Sequence, residues 1–303
     1  MNSSINVIKT VGEVHQFIGL GKPKHPLVTV FYHNHPNIIL SHGAARFTSE
    51  LYLVALKDGV TGAMDYGRST YDYDDGTMIF VEPNQVMSST EVQVDKNSQG
   101  WTLIFHPDLI RRSNLGKNIK EYSFFSYQIN EALHISEMER NTLNEQVKKI
   151  EREYSHPIDR HSQNLIVSNI ELILDYCLRY YDRQFYLRTN QNKDTIARFK
   201  EFLNDYYHSD KLLHQGIPTV KQCGEALGMS WNYLSDLLKK ESGKNAQEHI
   251  HYFLIEKAKT VLLNSSDNVS QVAYSLGFEY PQHFSRLFKK KTGMSPSEYR
   301  KLN

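Results

Sequence analysis

The chain has 303 residues, 40% of them hydrophobic and 23% charged, with a formal net charge of +1. Those proportions are those of a globular protein, and its two cysteines, Cys177 and Cys223, exclude a disulfide framework or a metal knot. No apolar run reaches the roughly 20 residues of a membrane span and no signal-peptide pattern opens the sequence, so a cytoplasmic protein that touches no membrane is expected. The charge is unevenly divided. Residues 188–303 carry 17 Lys+Arg against 12 Asp+Glu, while the first 187 residues carry 18 against 22. An excess of positive charge in the C-terminal part alone points to a polyanionic partner there.

Residues 1–26 show no clear period and read as an irregular arm. From Pro26 to His106 the texture is β: Leu27–Tyr32, the run Leu51–Leu56, Thr77–Val81 and Trp101–Phe105 are apolar or β-branched. Turn signals at Lys57-Asp58-Gly59, Asp74-Asp75-Gly76, Glu82-Pro83-Asn84 and Ser98-Gln99-Gly100 separate them. Short strands at such spacing imply a sandwich or a barrel. After Pro107 the texture becomes helical. Ser136 with Glu139 is a capping box opening a charged helix to about Tyr154, and His156-Pro157 interrupts it. A second, more apolar helix is expected over about Asp159–Gln184, its stripe packing on the strands or forming a subunit interface. Residues 186–194 are polar and aperiodic, the best linker in the chain.

The last hundred residues hold an internal repeat. Val220, Gln222, Leu227 and Gly228 recur 49 residues later as Val269, Gln271, Leu276 and Gly277. Ser235, Leu237, Lys239, Lys240 and Gly243 recur 50 residues later as Ser285, Leu287, Lys289, Lys290 and Gly293. Each copy reads as a capped helix, a glycine turn and a second helix that ends in lysines, which is a helix-turn-helix written as sequence. A helix over about Ala246–Leu263 joins the copies. In the second copy Phe284, Leu287 and Phe288 share one face, leaving Gln282, His283 and Arg286 on another, as base edges require. The lysine pair at the same place in both copies favours phosphate contact over a merely solvated helix end.

The double unit, the connector Ile255-Glu-Lys-Ala-Lys259 with Leu262-Leu263, and above all the run Gly277–Arg300 resemble the AraC/XylS transcription regulators. The segment Asp72–Gln85 with Trp101–Pro107 is similar to the cupin-like barrels that many members carry. The resemblance implies an α+β multidomain protein. Residues 1–185 would be an effector-sensing and dimerisation domain, with a cupin-like barrel over about 26–106 and a helical layer over 107–185. Residues 186–194 would be the linker. Residues 195–303 would be an all-α DNA-binding domain with helix-turn-helix units at about 219–241 and 268–291. It implies that Trp231, Asn232, Ser235 and Asp236 of the first reading helix, and Gln282, His283, Ser285 and Arg286 of the second, face the major groove. Lys239, Lys240, Lys289 and Lys290 would hold phosphates. Asp236 departs from the family, whose members often carry a basic or amide side chain there; it puts the first unit's base contacts in doubt and shifts specificity to the second.

Expected partners are double-stranded promoter DNA, a small-molecule effector, a second copy of the chain and RNA polymerase. Phe31, Tyr52, Val54, Phe80 and Trp101 are read as inward-facing strand positions that line or fill an effector cavity, aromatic enough for a sugar or planar metabolite. His33 and His35 suggest cupin metal ligands, but the further Glu and His such sites need are not spaced for it, so no metal or other cofactor is expected. Asp72, Asp74 and Asp75 read as turn residues. No nucleophile elbow, P-loop or zinc pair is present in the sequence, and no enzymatic activity is expected. Two rivals stand beside the effector-controlled regulator: a ligand-independent regulator whose barrel only dimerises, and a cupin enzyme with a regulatory DNA-binding tail.

Overall fold

A computed structural model describes residues 6–39, 46–66, 69–72, 76–128, 131–187 and 189–301. The chain divides into two compact units, Met1–Tyr186 and Leu187–Asn303.

The first unit contains strands β1 (Asn6–Ile8), β2 (Val28–Tyr32), β3 (Arg46–Ser49), β4 (Tyr52–Lys57), β5 (Val60–Tyr66), β6 (Ser69–Asp72), β7 (Thr77–Val81), β8 (Val86–Val94), β9 (Trp101–Phe105) and β10 (Leu133–His134). They form two five-stranded sheets, ordered β1-β3-β8-β5-β6 and β10-β7-β4-β9-β2. All pairs are antiparallel except β1 with β3. Among the described residues no strand pairing joins the two sheets, so the expected closed barrel is not what forms. The other reading of the strand spacing, a pair of sheets, describes it. Strands β5, β6 and β8 carry too little apolar signal to stand out in the sequence. The Asp74-Asp75 turn lies outside the described residues.

The N-terminal stretch is not irregular. Besides β1 it holds helix α1 (Val11–Phe17), whose N-cap Thr10 accepts from the Glu13 N–H. Val11, Val14 and Ile18 are buried, which fixes the helix to the unit. Short helices α2 (Pro107–Ile110) and α3 (Asn114–Asn118) follow the last long strand. Helices α4 (Glu137–Ser155) and α5 (Ser162–Leu187) come next, and the Ser136–Glu139 capping box is present. The outer face of the second sheet meets this helical layer. The Trp101 indole N–H donates to Asn144 Oδ1 at 2.7 Å, Tyr154 Oη lies 3.2 Å from the Val30 nitrogen, and Phe80 packs on Phe124.

The second unit is helical: α6 (Thr189–His208), α7 (Lys211–Gln215), α8 (Val220–Leu227), α9 (Trp231–Ser242), α10 (Ala246–Asn264), α11 (Val269–Ser275), α12 (Pro281–Thr292) and α13 (Pro296–Arg300). The polar stretch read as aperiodic is helical up to Leu187 and again from Thr189. It contains neither Gly nor Pro, so its polarity leaves nothing to break a helix. One core serves both repeats, built from Phe199, Leu234, Leu238, Leu254, Val272, Phe284 and Phe288 among others. Among the described residues no helix is long and apolar enough to cross a membrane.

Candidate nucleic-acid interface

The two repeats make matching hydrogen bonds at several of their corners. Thr219 with Gln222 and Asn268 with Gln271 form reciprocal capping boxes that start α8 and α11. Each of these helices ends at a glycine of positive φ, Gly228 at 72° and Gly277 at 79°. At the far end of the reading helices, the Gly243 and Gly293 N–H groups donate to the Lys239 and Lys289 carbonyls, both at 2.9 Å. The Ser242 hydroxyl donates to the Leu238 carbonyl at 2.7 Å, and Thr292 does the same to Phe288 at 2.8 Å. The next helices then start on matching capping boxes, Asn245 with Glu248 and Ser295 with Glu298. The repeat therefore runs past the glycines into α10 and α13, further than the sequence reading carried it. The offset of 50 residues at Asn245 and Ser295 was the available signal.

The reading helices begin differently. The Ser230 hydroxyl accepts from the Tyr233 N–H to cap α9, whereas α12 opens at Pro281 with no side-chain cap. Proline suits that first turn, where its missing N–H would have had no helical partner.

In α12, Phe284 and Phe288 are fully buried, and this pins the opposite face outward. Gln282, His283 and Arg286 are exposed there, followed by exposed Lys289, Lys290 and Lys291, while Ser285 is half-buried. Tyr280 leans edge-on against the His283 ring at 5.4 Å. The lysines sit in the last turn, where cations oppose the helix dipole, and they place positive charge beside that exposed face.

The first reading helix is less open. Trp231 is 51% exposed, an apolar ring that buried packing would ordinarily claim. Asn232 and Asp236 are half-buried, and Lys239 and Lys240 are exposed. Half-buried Ser235 Oγ accepts a long, 3.5 Å hydrogen bond from the Ala246 N–H at the start of α10. The structure thus brings the expected residues of α12 onto one exposed face, and those of α9 only in part.

The first unit holds a cavity of about 110 Å³ between its sheets. Phe31, Leu53, Ala55, Ile79 and Ile104 line it from the second sheet, and Val14 and Phe17 from α1. Of the aromatic residues expected there, only Phe31 is in the lining. Tyr52, Phe80 and Trp101, and Val54 with them, lie one residue out of step and face the helical layer instead. Tyr52 stacks on Phe105 at 5.1 Å, and Phe80 meets Phe125 at 5.7 Å. The physical reason is the two-residue period of a strand: a one-residue error in register moves a whole set of side chains to the other face. His33 and His35, weighed as metal ligands, part company. Buried His33 Nε2 pairs with Thr102 Oγ1 at 2.9 Å, whereas His35 Nδ1 accepts from the Asn37 N–H at 3.3 Å in its loop. Cys177 and Cys223 are both buried free thiols whose pKa burial raises, Cys223 to about 12.

Comparison with known proteins bears on the helical unit. Residues 223–302 match the family model of a helix-turn-helix domain. The chain is 24% identical over 193 residues to the uncharacterized HTH-type transcriptional regulator YijO of Escherichia coli (strain K12), covering 64% of each chain. It is 30% identical over 145 residues to the uncharacterized HTH-type transcriptional regulator YobQ of Bacillus subtilis (strain 168), covering 44% of this chain and 59% of that one. The chain thus spans less than two thirds of the length of these curated relatives. The solved C-terminal domain of the two-component response regulator yesN from Fusobacterium nucleatum is 27% identical with a TM-score of 0.32, covering 35% of this chain and 98% of that one. The class is therefore a tandem helix-turn-helix protein. Its C-terminal unit is an AraC-type DNA-binding domain, and its relatives are AraC/XylS family regulators.

Proposed function

We propose that this chain is a sequence-specific, DNA-binding transcription regulator of the AraC type. Its second reading helix supplies most of the discrimination. The observation that carries the reading is the face of α12: Gln282, His283 and Arg286 exposed together, anchored from behind by Phe284 and Phe288 and flanked by three exposed lysines. Gln and Arg are the side chains that pair bidentately with adenine and guanine edges, and lysines neutralise phosphates without reading sequence. Helix α10, with 19 residues, is about 28 Å long and acts as the spacer between the two reading helices. Successive major grooves on one face of B-DNA lie about 34 Å apart.

The linker, the limits of the two domains and the cytoplasmic location follow from this reading. The first unit senses a small effector in the cavity between its sheets, and the cavity favours this over a unit that only dimerises. A second copy pairs through the solvent-facing leucines of α5, Leu165 and Leu172, which are 49% and 38% exposed. A ligand controls such a protein only by binding two arrangements of it with different affinity. The test is a gel-shift titration with duplexes selected from a random library, at several salt concentrations. Arg286→Ala should lose sequence discrimination, and Lys290→Ala should weaken all sequences alike. If neither variant changes binding, α12 does not read DNA.

A further inference from the structure

The two reading helices part company at their start. At the repeat offset of 50 residues, Tyr280 stands where the first copy has Ser230, and His283 where it has Tyr233. In the first copy the serine caps the helix: its hydroxyl accepts from the Tyr233 N–H at 3.1 Å, and the Tyr233 ring is buried. In the second copy that cap is given up. The His283 N–H donates to the Tyr280 carbonyl at 3.0 Å, no side chain caps the helix, and the Tyr280 side chain is half in solvent. Losing a serine cap weakens a helix, and a phenol ring left in solvent restores little of that by burial. The exchange needs a reason outside the core.

Its geometry supplies one. The Tyr280 and His283 rings lie 5.4 Å apart with 62° between their planes, the edge-to-face arrangement that aromatic rings prefer. Both ends of this contact stand on fixed backbone. Pro281 keeps the residue before it out of the helical region, and Tyr280 is extended at φ −126° and ψ 118°. Phe278, two residues earlier, is buried and packs on Phe284 at 5.3 Å, which ties the turn to α12. His283 sits on the exposed face of that helix, where an imidazole without a neighbour would swing about its side-chain torsions.

We propose that Tyr280 is a positioning residue for DNA reading, its ring holding the His283 imidazole in one orientation for a base edge. This rests on the reading of α12 as the helix that enters the major groove. Ordering a side chain on binding costs free energy, and a ring already held avoids that cost. Direct phosphate contact by Tyr280 is the weaker account, because the exposed Glu279 carboxylate beside its hydroxyl repels phosphate. The first copy has no use for such a partner, since Tyr233 is buried in the unit.

The experiment is a competition gel shift of the full chain between a duplex selected from a random library and duplexes altered one base pair at a time. Tyr280→Ser restores the first copy's cap and removes the ring. At the base pair where His283→Ala loses discrimination, it should lose about threefold to tenfold, the worth of an aromatic pair, with no fall in the thermal unfolding midpoint. Tyr280→Phe keeps the ring and should keep the discrimination. In a His283→Ala background, Tyr280→Ser should cost nothing further. Undiminished discrimination in Tyr280→Ser overturns the proposal; Tyr280→Asn, which also caps, takes its place should the first variant not fold. An equal loss with and without His283 overturns it too, because Tyr280 then touches DNA itself, and so does a loss in Tyr280→Phe as large as in Tyr280→Ser. His283→Ala without effect, while Arg286→Ala loses discrimination, overturns the proposal and leaves the reading of α12 standing. If neither has an effect, both fall.

Discussion

Lys57 gives a stability prediction that can be worked through in numbers. Its ammonium is buried, and burial lowers its pKa from 10.5 to about 8. The unfolded chain therefore holds this proton more tightly than the folded one. The penalty is complete below about pH 8 and fades as the pH rises from about 8 to 10.5, where the unfolded lysine also loses its proton. The cost of holding the charge is about 3 kcal/mol at pH 7 and falls to about 1.5 kcal/mol at pH 9.5. Methionine has a similar shape and no charge, so Lys57→Met should be the more stable protein. Urea unfolding of both proteins checks this. The gap in unfolding free energy should narrow by about 2 kcal/mol between pH 7 and pH 9.5. A gap that does not change with pH, or a variant less stable than the parent, refutes the assignment of Lys57 as a desolvated cation.

Other expectations follow from the helical unit. Arg286→Ala should cost about 1–3 kcal/mol of discrimination between cognate and altered duplexes, measured by competition gel shift. Lys290→Ala should flatten the slope of log affinity against log salt by about one unit while preserving sequence preference. Gly277→Ala should destabilise the unit by about 1–2 kcal/mol, because φ is +79° and the new methyl would stand 2.8 Å from Leu212 Cδ1; thermal unfolding reads the loss. Phe284→Ala should cost about 3–5 kcal/mol, the loss of a fully buried ring and the cavity it leaves.

The helical half was legible in the sequence because its signals are local. A capping residue, a glycine and the spacing of Phe284, Leu287 and Phe288 each act within a turn or two, and they specify which side of α12 faces out. The sheet half was legible only as texture. Strands β2, β4, β7 and β9 are buried on both faces, one against the cavity and one against the helices, so apolar residues fill both parities and alternation carries no direction. Trp101 and Thr102 are neighbours in the chain, both buried, and only the register tells which one meets the cavity. Lys57 looked like the first residue of a turn, because a charge before Asp58-Gly59 ordinarily belongs to solvent. What buries it is its place at the end of β4, opposite Thr77 of β7 and one residue beyond the Leu56–Trp101 pair with β9, and that neighbourhood exists only once three distant strands are paired. The N-terminal helix was missed for a related reason: seven residues are too few for a period to stand out, and tertiary packing of Val11 and Val14 stabilises it.

The account's central claim is that the two repeats read DNA as a pair, with α12 dominant. Chemical footprinting of the full chain on a duplex selected from a random library tests it most directly. The account predicts two protected major-groove patches one helical turn apart, with Gln282→Ala and Arg286→Ala erasing the patch under α12 and leaving the other. Uniform protection without sequence preference, or a footprint that both variants leave unchanged, contradicts it.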